Sequence, residues 1–293
     1  MEFHRNFFET ARIAVAKEAL VPDHTSLART VFTRRRALTA LAAAAIGGGT
    51  FAFAGHREHG VALRSNAPHW DYDAEGPAHW AELDQSYRTC AGGHAQSPID
   101  LPAHTELHPD DHIDIEYGVL ETVETTNNGH TVQANVPAGN GNRILIAGRP
   151  YELTQFHFHT PSEHTIDGAG AAMELHLVHT GPGGALAVLA ILLQPDGGRS
   201  PFASLLTDPP AELGASVRTG PLDLRVLLPA NRAQFRYEGS LTTPPCSEGV
   251  TWTVLRHPMS VAGSEVDRYR ALFPHSNRPV QPRYGRPVTV TGN

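Results

Sequence analysis

Residues 151–159 read Tyr151-Glu152-Leu153-Thr154-Gln155-Phe156-His157-Phe158-His159. The two-residue period of a β-strand sets Gln155, His157 and His159 on one face and Phe156 and Phe158 on the other. Alternate residues lie about 6 to 7 Å apart along a strand, so both imidazoles reach into one space and can share a metal ion. A second stretch, Met173-Glu174-Leu175-His176-Leu177-Val178-His179, has the same grammar, with Glu174, His176 and Val178 on one face and His179 on the other. If the two strands are neighbours, His176 brings a third nitrogen and leaves a fourth position open, which is the pattern of catalytic rather than structural zinc. Gln155 and Glu174 each precede a histidine by two residues on the same face, placed to accept the second ring N–H of His157 and of His176. The spacing by itself leaves two other readings open: a chance pair in a histidine-rich chain, and a cupin-like iron or manganese centre.

Around these segments the chain keeps to strand grammar. Strands are predicted over Ile113 to Tyr117, Thr131 to Val136, Tyr151 to His159, Ala172 to Val178, Ala185 to Leu193, Gln234 to Tyr237 and Val250 to Leu255, all rich in β-branched and aromatic residues and separated by Gly, Pro and Asn. Helix candidates are short, Pro201 to Leu206 and Ser264 to Leu272. The 293 residues include 27 Gly and 23 Pro, which favours many short strands with frequent turns. The expected fold class is therefore mostly β (α+β), a single domain with a large, mainly antiparallel twisted central sheet and short peripheral helices. An apolar content of 40% with 18% charged residues excludes a disordered or multi-span membrane chain.

Residues 1–54 stand apart. Arg34-Arg35-Arg36 leads into an apolar run from Ala37 to Ile46, and Ala52-Phe53-Ala54 supplies a small-residue cleavage pattern. This reads as a leader and export signal of twin-arginine type, too short to be a permanent membrane span, so the mature domain is expected at 55–293 in a periplasmic or extracellular setting. The remaining 239 residues carry 16 basic and 26 acidic groups and no lysine. Nucleic acid is thereby excluded as a partner, because the charge that would neutralise phosphates is missing. Sixteen of the 18 histidines also fall there. The two cysteines, Cys90 and Cys246, are expected to form a disulfide in an exported protein. Oligomeric state is not legible from these residues.

Taken together, the motifs resemble the alpha-class carbonic anhydrases of the bacterial, exported type. The likeness runs through Trp70-Asp71-Tyr72, Gly76 to Trp80, Gln96-Ser97-Pro98-Ile99, Asn127-Asn128-Gly129-His130, Gln155 to His159, Ser162-Glu163-His164, Glu174 to His179, Ser240 to Cys246, Val250-Thr251-Trp252 and Asn277-Arg278-Pro279. The resemblance implies reversible hydration of carbon dioxide to bicarbonate and a proton by zinc-bound hydroxide, with Zn2+ on His157, His159 and His176. It implies that Thr242 orients the nucleophile, that Glu163 accepts the Thr242 proton, and that His130 is the proton shuttle. Thr243, Val178, Val188, Leu241, Val250 and Trp252 would surround the substrate, while Tyr72, Asn128 and Gln133 would carry the proton network. Cys90 and Cys246 match the family's disulfide. Gln133 replaces the asparagine of well-known animal members, and the Thr160-Pro161 link is short. His164 and His179 are expected to be structural. Catalytically inactive relatives typically lose a zinc histidine, and this chain keeps all three.

The shuttle expectation has an energetic basis. The family, the reference example for zinc-generated hydroxide, turns over near 10⁶ per second, which allows a barrier of about 9 kcal/mol. Release of a proton from a group of pKa ~7 straight to bulk water is uphill by about 12 kcal/mol. A histidine near its usual pKa of ~6.5 makes the same transfer nearly level.

Overall fold

A computed structural model describes residues 68–105, 107–108, 111–197 and 200–292, so the expected export signal lies outside the described residues. One 11-stranded sheet organises them. Its strands in chain order are β1 (Ile113–Glu116), β2 (Val123–Asn127), β3 (Val132–Asn135), β4 (Arg143–Ile146), β5 (Arg149–His159), β6 (Met173–Thr180), β7 (Leu186–Pro195), β8 (Ser216–Thr219), β9 (Gln234–Ser240), β10 (Glu248–Val261) and β11 (Thr289–Thr291). The spatial order is β8-β2-β3-β5-β6-β7-β10-β9-β11, with β4 on the first part of β5 and β1 beyond β4. All these pairs are antiparallel except β7 with β10. The helices are short, α1 (Trp80–Leu83), α2 (Thr89–Gly92), α3 (Ala203–Leu206) and α4 (Gly263–Leu272). Every strand and helix expected from the sequence is present. β2, β4, β8 and β11 are additional; all are short, β2, β8 and β11 are largely polar and β4 is a brief apolar run, so none shows an apolar alternation long enough to read.

The sheet separates two kinds of chemistry onto its faces. Phe156, Phe158, Leu175, Leu177, Leu189 and Ile191 join one apolar cluster on one side. Val178, Val188, Ala190, Val250 and Trp252 join a second on the other. A register shift in the β5–β6 pairing between Leu153 and Gln155 makes this segregation possible. In a regular strand Leu153 would share a face with Gln155, His157 and His159. The bulge reverses the parity, sending Leu153 into the core with the two phenylalanines and leaving the polar trio to the opposite face.

Register then assembles the site. Gln133 pairs with His157, His157 with His176, and His176 with Ala190. One step along, Gln155 pairs with Val178, Val178 with Val188, and Val188 with Trp252. One row is thus polar and the next turns apolar from Val178 onward. From α4, the buried Tyr269 hydroxyl donates to Phe158 O at 3.0 Å and accepts from Val132 N at 3.1 Å, tying the end of β5 to the start of β3.

Candidate metal centre

β5 and β6 bring three imidazoles together. Ring centroids are 4.9 Å apart for His157 and His159, 4.5 Å for His159 and His176, and 5.3 Å for His157 and His176. One nitrogen from each ring lies within 4.8 Å of the other two. The outward nitrogens are all engaged. His157 Nδ1–H donates to Gln155 Oε1 at 2.7 Å, His159 Nδ1–H to the Ser276 carbonyl at 2.5 Å, and His176 Nε2–H to Glu174 Oε1 at 2.8 Å. These acceptors fix the tautomers, so His157 Nε2, His159 Nε2 and His176 Nδ1 present lone pairs inward.

Burial holds all three histidines below the usual imidazole pKa, most strongly His157, where the neighbouring rings add to the effect. They are neutral near physiological pH, the state in which an imidazole coordinates metal. His159 Nε2 is buried with no hydrogen-bond partner. A lone pair stranded in that way is costly unless something fills the space among the rings. Three fixed neutral nitrogens with one position left over suit a tetrahedral divalent ion, and the donor set fits zinc.

Glu163 lies just behind, its Oε2 3.7 Å from His159 Nε2 and 4.0 Å from His176 Nδ1. Burial pushes its carboxyl up to about 7, against the pull of His176, of the Arg278 N–H at 2.8 Å and of the Thr242 hydroxyl. Thr242 and Thr243 sit on the loop between β9 and β10. That loop is closed by Leu241 N to Ser247 O at 3.0 Å and Cys246 N to Thr243 O at 2.9 Å. The expected disulfide joins Cys246 to Cys90, with Cα atoms 5.0 Å apart.

The cavity over the three rings has two walls. Val178, Val188, Leu241 and Trp252 form the apolar one, and Tyr72, Asn128, Gln133, His130 and Thr243 line the other side. Val250 was expected in the apolar wall; it is 1% exposed and packs with Val188 and Trp252 without lining the cavity. Gln133 accepts from Asn128 at 3.4 Å and donates to Asn135 at 2.7 Å, so its amide is oriented by both neighbours.

His130 departs from expectation in one respect. Its ring stacks on Trp70, which burial makes a poor place for a charge, and its pKa is pushed down to about 4 by that burial and then by His69, against the opposing effect of Asp71. Trp70 stood in the quoted motifs with no role attached. Ser276 had no signal at all, because it contributes a backbone carbonyl rather than a side chain. His179 faces the core side and shares a 2.7 Å hydrogen bond with Tyr117.

Comparison with known proteins agrees with this geometry. The family described as "Eukaryotic-type carbonic anhydrase" matches residues 75–292. A carbonic anhydrase of Klebsiella pneumoniae is 42% identical over 228 residues, 76% of this chain and 91% of the relative. Among solved structures, the alpha-carbonic anhydrase of Thermovibrio ammonificans, in complex with the inhibitor sulfanilamide, superposes with a TM-score of 0.69 at 34% identity, covering 77% of this chain and 99% of that one. That of Photobacterium profundum gives 0.67 at 38%, covering 76% and 100%. With the matched family spanning the sheet, the three histidines and the Thr242 loop, the chain belongs to the eukaryotic-type, or alpha, carbonic anhydrases and is an enzyme of that kind.

Proposed function

We propose that this enzyme hydrates carbon dioxide reversibly with a single zinc ion held by His157, His159 and His176. The observation that carries the reading is the convergence of three inward nitrogens within 4.8 Å, each on a ring whose other nitrogen is hydrogen-bonded. Zinc bound there supplies a Lewis acid that makes hydroxide available near neutral pH, the property for which this family is the reference example.

The chain's own residues do the rest. Thr242 commits its one hydroxyl proton to the Glu163 carboxylate, so its oxygen accepts a hydrogen bond from the nucleophile and leaves the nucleophile's own lone pair directed at the substrate. Val178, Val188, Leu241 and Trp252 give carbon dioxide a dry surface that offers no competing hydrogen bonds. Tyr72, Asn128, Gln133 and Thr243 hold water on the opposite side and lead toward His130, which takes the released proton to the mouth of the cavity. No helix among the described residues is long and apolar enough to cross a membrane. The Cys90–Cys246 disulfide supports reading residues 1–54 as an export signal and 55–293 as the mature domain.

The test is metal analysis of purified 55–293 together with stopped-flow carbon dioxide hydration before and after treatment with a zinc chelator. One equivalent of zinc and chelator-sensitive hydration are expected. A protein that takes up no zinc from excess, or that hydrates at the same rate without it, overturns the reading.

A further inference from the structure

A second histidine stands just outside the cavity. His130 lines the cavity and is half-buried, whereas His69 is exposed, its ring centroid 6.4 Å from that of His130 and its plane tilted by 32°. That separation is beyond direct hydrogen bonding and within the span of one bridging water. The neighbours of the two rings hold them in place. Trp70 follows His69 in the chain, stacks on His130 and meets Trp80 edge-on at 5.3 Å, and the Trp80 indole N–H donates to the Asp71 carbonyl at 2.9 Å. Asp71 Oδ1 accepts from the backbone N–H groups of Asp73 and Glu75, each at 2.8 Å. The turn so formed brings one carboxylate oxygen of Asp71 and one of Glu75 within 4.8 Å of a His69 ring nitrogen. The surroundings thus change over a single step outward, from the closed indole stack at His130 to water and two carboxylates at His69.

We propose that His69 is a second proton carrier, which takes the proton from His130 and delivers it to buffer. This rests on the shuttle reading above. A proton that has reached His130 falls back inward unless it is taken onward, and with the His130 pKa at about 4 a base near 7 wins it back by roughly a thousandfold. Bulk water is a far weaker base again, so a neighbouring imidazole is the better acceptor. In the step an N–H bond of the His130 imidazolium breaks as an N–H bond forms on His69, the bridging water giving one proton as it takes another. His130 returns to neutral imidazole, and His69 then loses its proton to a basic buffer molecule. Like-charge repulsion between the two rings limits the pair to one proton at a time.

The sign of one substitution separates this role from a purely electrostatic one. If His69 does no more than repel charge on His130, His69→Ala lets His130 take protons more readily, and turnover in dilute buffer rises or stays level. If His69 carries the proton, turnover falls. Stopped-flow hydration by the zinc-loaded enzyme in dilute buffer is expected to show kcat several-fold lower in His69→Ala, with recovery on adding imidazole. kcat/KM is expected to keep its wild-type value, because the carbon dioxide step precedes the departure of the proton. His69→Gln, which keeps a polar side chain but cannot carry a proton, is expected to be as slow as His69→Ala. The double variant of His69→Ala and His130→Ala is expected to be no slower than His130→Ala alone, since a carrier in series then has nothing to receive. A level or raised kcat in His69→Ala overturns the proposal, as do a wild-type kcat in His69→Gln, a kcat/KM that falls along with kcat, and a double variant slower than His130→Ala. Full turnover by His130→Ala in dilute buffer sinks the shuttle reading itself, a result distinct from all of these.

Discussion

The imidazole of His130 lies flat on the indole of Trp70, with ring centroids 3.7 Å apart and planes 7° from parallel. The stack takes the ring out of water, and the His69 ring, 6.4 Å away, adds like-charge repulsion if both are protonated. At a pKa of about 4, His130 in this pose holds a proton roughly a thousandfold less well than a base near 7, so a transfer that an ordinary histidine makes nearly level is uphill by about 4 kcal/mol, still below the barrier of about 9 kcal/mol that the turnover allows. Trp70→Ala should return the His130 pKa toward about 6.5, and His69→Ala should raise it by a smaller amount. NMR titration of the His130 ring protons checks both, and a value still near 4 in Trp70→Ala would show that the indole is not what suppresses the charge. His130→Ala should cut hydration turnover tenfold or more in dilute buffer, with recovery on adding imidazole.

The contrast between His130 and the metal histidines shows what a sequence carries. His157, His159 and His176 were legible because strand parity alone puts them on one face, and Gln155 and Glu174 share that parity. The pairing of β5 with β6 was legible only as a condition, since register depends on contacts between segments distant in the chain. The Thr154 bulge left no local mark, yet it decides where Leu153 goes. Ser276 acts through its carbonyl, which every residue possesses, so no residue type announces it. The His130 pKa was illegible for a related reason: it depends on Trp70, 60 positions away, closing over the ring.

Thr242 is predicted to matter for rate and not for metal. Thr242→Val keeps the shape and removes the hydroxyl that links Glu163 to the nucleophile, so kcat/KM should fall by about a hundredfold while zinc content stays at the wild-type level. Thr242→Ser should restore most of the activity. Steady-state hydration kinetics beside metal analysis would settle it; zinc lost in parallel with activity would make Thr242 a structural support instead.

His179 gives the fold a pH dependence of known sign. Burial beneath Tyr117 pushes its pKa down to about 3, so the folded protein refuses a proton that the unfolded chain accepts below about 6.5. This contribution to stability is complete above 6.5 and declines as pH falls toward 3. Between pH 7 and 4 it costs about 3 kcal/mol. Urea unfolding at the two pH values should show a drop reduced by about that amount in His179→Leu, whatever the variant's stability at pH 7. An identical drop in wild type and variant would assign the acid sensitivity elsewhere, for instance to the metal histidines.

The disulfide should bear on stability far more than on metal retention. Cys90 and Cys246 are 156 residues apart, and closing a loop of that length restricts the unfolded chain by about 5 kcal/mol on an entropic estimate. Gln96 Nε2 also donates to the Cys246 carbonyl at 3.1 Å, and Arg278 Nη2 to the Cys90 carbonyl at 2.6 Å, so the bridge is fastened from both ends without touching β5 or β6. Cys90→Ser, or reduction of the wild type, should therefore lower the unfolding free energy by about 2 to 5 kcal/mol while zinc remains bound in the folded state. Urea titration with and without reductant gives the first quantity and metal analysis of the folded fraction the second. Zinc released below the unfolding transition would mean that the sheet alone does not hold the three histidines in place, and that the Thr242 loop helps to keep them there.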